Sequence, residues 1–374
     1  MQSLFRTANF RVNPQYEVVP HGRLTAGDLE WAPEYTPEEY GVLRPRPDSP
    51  LPPIAIDRET ALLLLTLREA GPLPEYVIRT LESGAERTIQ QMLFDQILEV
   101  EGPDGYISGP TTGAVLKFDK PLGDGLLASL SADALRYGQS LQLTDPIALS
   151  LKLYRYNQRP ASPYWRRKLP NRAATMEFLG IAPDGPLERS LTKSWQLLDA
   201  DTTGWAHFTA RAPRMVPTST PCKLYISPTP EALPEALAIA IECFTKAGTQ
   251  QFKVGSDMHG VLRPDKLVAY FSSKEHLLDA LEVVRPRCEG MPVQGVPFTA
   301  DADAGLLSWG ADPRPSGAEP TGSWRQWVTN RLATTMVAAH DDTGGIEPWR
   351  YALERLRLDG IDLQTFSPTG RWTG

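Results

Sequence analysis

The chain changes rhythm several times along its length. Over residues 1–53 prolines and glutamates dominate and no period holds, which predicts an extended, Pro-rich arm. From Asp57 the pattern turns helical. Asp57 is placed to cap a helix through Leu62, Leu65 and Leu67, with Glu59 in its first turn, and Pro72 and Pro74 end it. Glu75–Leu81 and Ala85–Leu98 predict two more helices. Two short runs, Ile97–Glu101 and Tyr106–Ser108, flank Pro103-Asp104-Gly105 and predict a hairpin. Three helices and a hairpin make a winged-helix-like module over 54–120; a plain helical packing domain fits the same pattern. Residues 121–200 read as a helical connecting region. It is clearest at Ser131–Leu141 and Asp145–Tyr156, where Asp145-Pro146 joins an N-cap to proline at the first helical position.

Further on, the period shortens to two. Lys223-Leu224-Tyr225-Ile226-Ser227 alternates as a half-buried strand does. Leu233, Leu237, Ile241 and Phe244 are spaced by three and four, so Glu231–Lys246 is expected to be a helix. Phe252-Lys253-Val254 and the nearly continuous apolar run Leu267–Phe271 predict two more strands, and Glu275–Val284 a second helix. His207–Ala210 is short and extended. Helices are expected again near Trp324–Ala339 and Pro348–Leu356. This succession predicts an α+β fold: a sandwich-like core with a mixed sheet and flanking helices over 201–374, preceded by the small helical module.

Composition narrows the function. The 374 residues are 41% hydrophobic and 22% charged, with net charge −7, which argues against a nucleic-acid binder working through a general basic surface. Glu99, Glu101 and Asp104 make DNA a poor ligand for the hairpin. No run approaches the roughly 18 apolar residues a membrane span needs. Met1–Pro14 carries Arg6 and Arg11 and no apolar signal core, so a cytoplasmic location is the expectation. Cys222, Cys243 and Cys288 are odd in number and widely spaced, as small buried hydrophobes are. The five histidines are scattered without a metal-binding spacing. Glycine-rich nucleotide loops, kinase motifs and the serine-hydrolase elbow are all absent, so neither cofactor nor metal is expected.

Two basic groupings remain. The run Ser162-Pro163-Tyr164-Trp165-Arg166-Arg167-Lys168 is either a receptor for an acidic peptide or a solvated loop with one aromatic anchor. Lys223, Lys253, Arg263 and Lys266 fall on or beside adjacent strands of one predicted sheet. Buried ammonium groups are costly without an anionic partner, so their joint occurrence points to an anion site. Arg325 and Arg331 are secondary candidates; six residues apart, they stand about 240° around a helix and do not share a face.

At these residues the sequence resembles the phosphothreonine-lyase superfamily. The matching stretches are Lys223–Ser227, then Phe252-Lys253-Val254-Gly255-Ser256-Asp257, then Arg263-Pro264-Asp265-Lys266-Leu267-Val268-Ala269-Tyr270. They cover roughly residues 200–310. The group includes the OspF and SpvC effectors and the lyase domain of class III lanthipeptide synthetases. The resemblance is nearest to the HopA-type effector family, whose stand-alone members act in class V lanthipeptide and thioamitide pathways. It implies β-elimination of phosphate from phosphoserine or phosphothreonine of a ribosomal precursor peptide, leaving dehydroalanine or dehydrobutyrine. Lys253 would be the base that removes the α-proton, Lys223 would stabilise the enolate-like intermediate or the phosphate, and Arg263 and Lys266 would hold the phosphate. Tyr225 stands where the effectors carry their acid histidine, a departure that leaves Tyr225 and His207 as alternative acids. The implied partners are the phosphorylated precursor and a cyclase; because the chain lacks kinase motifs, the Ser/Thr kinase is expected to be a separate protein, and by analogy with winged-helix modules of peptide-modifying enzymes the 54–120 module is expected to hold a leader peptide. The chemistry suits the residues. A lysine base has to be neutral, which desolvation or neighbouring cations favour, and fixed positive charge stabilises the developing anion. The alternative is a non-catalytic peptide-binding or scaffold subunit of the same complex.

Overall fold

Asp57 caps the helix Arg58–Thr66 as its sequence predicts, its carboxylate accepting from the Thr60 backbone N at 2.7 Å. The strand Gly71–Pro72, the helices Glu75–Ile78 and Ala85–Phe94, and the hairpin Leu98–Gly102 and Gly105–Ile107 follow in chain order. These elements belong to a computed structural model that describes residues 2–31, 35–36, 38–80, 84–116, 122–198, 204–212, 222–313, 322–340 and 346–369. Leu81, where the second helix was expected to end, lies outside the described residues, as do 199–203 at the expected boundary before 201.

The chain divides into two units. The first comprises residues 1–119 and 338–358, the second 120–337 and 359–374. In the first, the extended arm expected over 1–53 is replaced by folded elements. Gln2–Thr7 is a helix, and Asn9–Val12 inserts between Gly71–Pro72 and Leu98–Gly102 to make a four-stranded antiparallel sheet. Tyr16–Pro20, Gly41–Pro45 and Ile54–Ile56 form a second sheet. The cause is the few apolar residues among the prolines: Phe5, Phe10 and Leu43 are fully buried in the unit's core. The late helix Pro348–Leu358 completes that core through Tyr351, whose ring centre lies 4.6 Å from that of Phe94.

The second unit is built on a seven-stranded sheet. Its spatial order is Ala300–Asp303, Leu307–Ala311, Cys222–Ile226, Leu267–Phe271, Gln251–Gly255, Trp205–Ala210, Trp195–Leu198. The α+β class holds, but every pairing is antiparallel rather than mixed. The crossover helix Leu233–Ala247 carries the chain past one strand position, and Leu267–Phe271 fills the gap in the opposite sense. That helix ends at Gly248, whose φ of 71° lies in the left-handed region glycine adopts without cost.

One face of the sheet presents Leu224, Ala269, Phe252 and Phe208 to the helices Leu233–Ala247 and Lys274–Val284. The expected 121–200 connecting region is part of this unit, because Trp165, Leu169, Leu179 and Leu191 bury into the same core. The basic run 162–168 is thus the helix Pro163–Lys168, capped by Ser162 and anchored by Trp165. Among the described residues no helix is long and apolar enough to cross a membrane.

Candidate active site

Strand alternation sorts the central residues by face. The register pairs Tyr225 with Val268, Val268 with Lys253, and Lys253 with His207. The next row on the same face pairs Lys223 with Tyr270. Lys223, Tyr225, Lys253, His207 and Tyr270 therefore share the face turned away from the main core. The Tyr270 ring lies between the two lysines, its centre 5.5 Å from Lys223 Nζ and 5.8 Å from Lys253 Nζ. Lys223 is paired with Asp312 at 2.5 Å. Asp312 also accepts from the backbone N of Trp324, so it ties the lysine to the start of the helix Trp324–Ala338. Gly310, opposite Lys223, makes this possible: a Cβ there would stand 2.3 Å from the Trp324 ring.

Tyr225 is 3% exposed and packs with Val268 and Val296. Burial, with the nearby Asp312 charge adding to it, pushes its hydroxyl well above the usual tyrosine range. His207 stands on the edgeward side of Lys253, one strand away, whereas Tyr225 is two strands away on the other side.

Asp265 organises the arginines. Its carboxylate accepts hydrogen bonds from two Arg263 nitrogens at 2.8 and 2.9 Å and from the Tyr154 hydroxyl at 3.2 Å, and it is ion-paired with Arg325 Nη1 at 2.9 Å. Arg325, 1% exposed, also donates to the carbonyl oxygens of Tyr154 and Pro297. Burial alone would raise the Asp265 carboxyl; the Arg325 and Arg263 guanidiniums outweigh it and hold the group well below the usual carboxylate range. A paired, buried carboxylate of this kind fixes the direction in which Arg263 points.

A cavity of about 680 Å³ opens beside these groups. Lys253, Arg263, Trp205 and Tyr154 line it, with further residues from the helices Pro146–Tyr154 and Trp324–Ala338. Lys253 Nζ lies 4.4 Å and the Arg263 guanidinium 5.1 Å from the centre of the Trp205 ring. A smaller cavity of about 330 Å³ shares Arg155, Trp205 and Arg263 and adds Asp257 and His259.

Not every expected residue reaches this cavity. Lys223 and Tyr225 share the sheet face but do not line it. Lys266, expected at the phosphate, is 0% exposed and donates to the Pro228 carbonyl and to Gln294 Oε1, both at 2.7 Å. Those acceptors come from distant loops, and they turn the lysine inward. Arg325 is held by Asp265. Arg331 is exposed and lies against Trp327, outside the cavity lining. The residues that sequence reasoning passed over are Tyr154, Trp205, Asp265, Tyr270 and Asp312. Tyr270 carried a signal, because in the run Leu267–Phe271 it falls on the same parity as Val268.

Burial brings Lys266 down to about 7. Above that pH the folded chain has released a proton that the unfolded chain still holds, up to the ordinary lysine value. The Lys266 contribution to unfolding free energy is therefore expected to rise with pH above 7, by at most about 1.4 kcal/mol per pH unit, until the buried Cys222 and Cys288 thiols, both pushed up to about 11, act in the opposite sense at higher pH. Urea unfolding at a series of pH values between about 7 and 8.5 measures it. Lys266→Met is expected to lose that slope, whatever its own stability.

No family model matches the sequence, and no curated protein matches it. Solved structures do. An effector protein from Pseudomonas syringae pv. tomato is similar at 12% identity and TM-score 0.40, over 64% of this chain and 97% of that one. The type III effector/phosphothreonine lyase OspF from Shigella flexneri is similar at 12% identity and TM-score 0.29, over 47% of this chain and 90% of that one. The VirA (SpvC) phosphothreonine lyase effector of Chromobacterium violaceum is similar at 17% identity and TM-score 0.28, over 32% of this chain and 66% of that one.

Proposed function

We propose that this protein is a phosphoserine/phosphothreonine lyase that dehydrates a ribosomal precursor peptide during lanthipeptide-type biosynthesis. The observation that carries the reading is the convergence of Lys253 and Arg263 on one cavity, each against the Trp205 ring. Arg263, oriented by Asp265, receives the phosphate. Lys253 as free amine takes the proton from Cα. The C–H electron pair becomes the Cα–Cβ double bond, the Cβ–O bond breaks, and its pair leaves with the phosphate. Lys223, paired with Asp312 outside the cavity lining, would act on the charge that develops at the peptide carbonyl only from a distance. Tyr225 protonates the departing oxygen. The kinase that supplies the phosphorylated peptide and the cyclase that consumes the product are separate proteins, and the first unit holds the leader.

Mass spectrometry of a phosphothreonine peptide incubated with the protein tests this. Loss of phosphoric acid, giving a dehydrated residue, is the expected result. One observation favours the scaffold alternative: Tyr225, at the acid's position, is buried and does not line the cavity. Binding of a matched phosphorylated precursor without loss of phosphate selects that alternative. Within the lyase reading, Tyr225→Phe is expected to lower kcat by about a hundredfold and His207→Ala by less. The reverse order makes His207 the acid.

A further inference from the structure

The lining of the large cavity differs in kind from one element to the next. The sheet side carries Lys253 and Arg263. The helix Trp324–Ala338 contributes Gln326, Thr329, Asn330 and Thr334, a stripe of uncharged hydrogen-bonding side chains at helical spacing. The helix Pro146–Tyr154 contributes Ile147 and Leu151, four residues apart and so on one face.

Those two aliphatic side chains are 72% and 51% exposed. The same helix buries Leu149 and Leu153 on its other side. It is therefore apolar on both faces, where a helix at the surface carries polar residues toward water. A single exposed leucine is ordinary. Two aligned aliphatics that line the same cavity as a lysine and an arginine are more specific. No described residue lining this cavity is acidic, so charge complementarity favours an anionic occupant.

An extended phosphopeptide matches all three surfaces. Its phosphate meets Arg263, and the Cα of the phosphorylated residue faces Lys253. Its backbone amides meet Gln326 and Asn330, which leaves the sequence unread at those points. The side chain beside the phosphorylated residue meets Ile147 and Leu151. The cavity lies in the size range of sites that enclose a whole ligand, so the neighbours of the phosphorylated residue have room to enter. We propose that Ile147 and Leu151 are specificity-determining residues that select phosphorylated Ser or Thr next to an aliphatic residue and disfavour a charged neighbour. The inference rests on the lyase reading for the identity of the occupant, but its signature is legible in binding alone.

The test uses four phosphothreonine peptides, identical except that Leu, Ser, Asp or Lys flanks the phosphothreonine. Affinity for the full-length protein is read by fluorescence anisotropy and elimination by mass spectrometry. The Leu-flanked peptide is expected to bind about tenfold more tightly than the Ser-flanked one, the scale set by one aliphatic contact. In an Ile147→Ser, Leu151→Ser double variant the ratio is expected to fall to near one, and in Leu151→Met to persist. Because each ratio is taken within one protein, a change in the folded fraction does not move it. Equal affinities in the wild type, an unchanged ratio in the double variant, or no binding of any peptide overturns the inference. Elimination from all four peptides at equal rates and affinities leaves the lyase and removes the selectivity. A tenfold preference without elimination leaves the selectivity and removes the lyase.

Discussion

Replacing Lys253 by alanine is expected to lower kcat for phosphate elimination by at least about a thousandfold while changing phosphopeptide affinity by less than about tenfold. The Cα proton is weakly acidic, and no other step proceeds until it is removed. Arg263 remains in place on its Asp265 support, so the phosphate keeps its main contact. Lys253→Arg separates two roles. A guanidinium keeps the positive charge but is not deprotonated in proteins. If Lys253 is the base, the arginine variant binds well and stays inactive; if it only holds phosphate, much of the activity returns. Single-turnover mass spectrometry alongside anisotropy distinguishes these outcomes, and full activity in Lys253→Ala removes the assignment of the base.

Asp265→Ala is expected to destabilise the second unit by about 3–5 kcal/mol. It leaves Arg325 buried without its carboxylate and frees Arg263 to turn away from the cavity. Urea unfolding followed by a probe in the second unit measures the loss. The pH dependence has a definite sign. The Asp265 carboxyl is held below its ordinary value, so its contribution is complete above the unfolded value of about 4. It declines only as pH falls from there toward the folded value. The gap between wild type and variant is therefore expected to be flat from pH 5 to 8 and to narrow in acid. A constant gap down to strongly acidic pH assigns the loss to packing instead.

The part of the site legible in the sequence is the part that strand alternation controls. Lys223 and Tyr225 sit two apart, flanked by Leu224 and Ile226. Lys253 sits between Phe252 and Val254. A period of two was enough to put all three on one face, because the other face had to be apolar. Lys266 lay beyond the reach of that logic. It precedes its strand, and its direction is set by Pro228 and Gln294, residues that the chain brings near only on folding. Asp265 had the same difficulty in reverse: its neighbours Arg263 and Lys266 were conspicuous, while the Arg325 that makes it a hub comes from sixty residues away. The cavity wall on Pro146–Tyr154 was predicted as a helix, cap included, but its second apolar face has no meaning until the sheet stands across from it. The folding of 1–53 was hidden because prolines dominate its composition, although Phe5, Phe10, Tyr16 and Leu43 all join the core.

The return of residues 338–358 to the first unit has a consequence for biosynthesis. On the ribosome, residues 1–119 emerge early, but Tyr351 and Leu358, which belong to their core, emerge only after the whole sheet of the second unit. At roughly 5–20 residues per second, the core of the first unit stays incomplete for tens of seconds. Gene fragments cut at the boundary near residue 120 inherit the same gap permanently. A circular permutant that carries residues 338–358 ahead of residue 1 would give the first unit its core in one continuous stretch of chain.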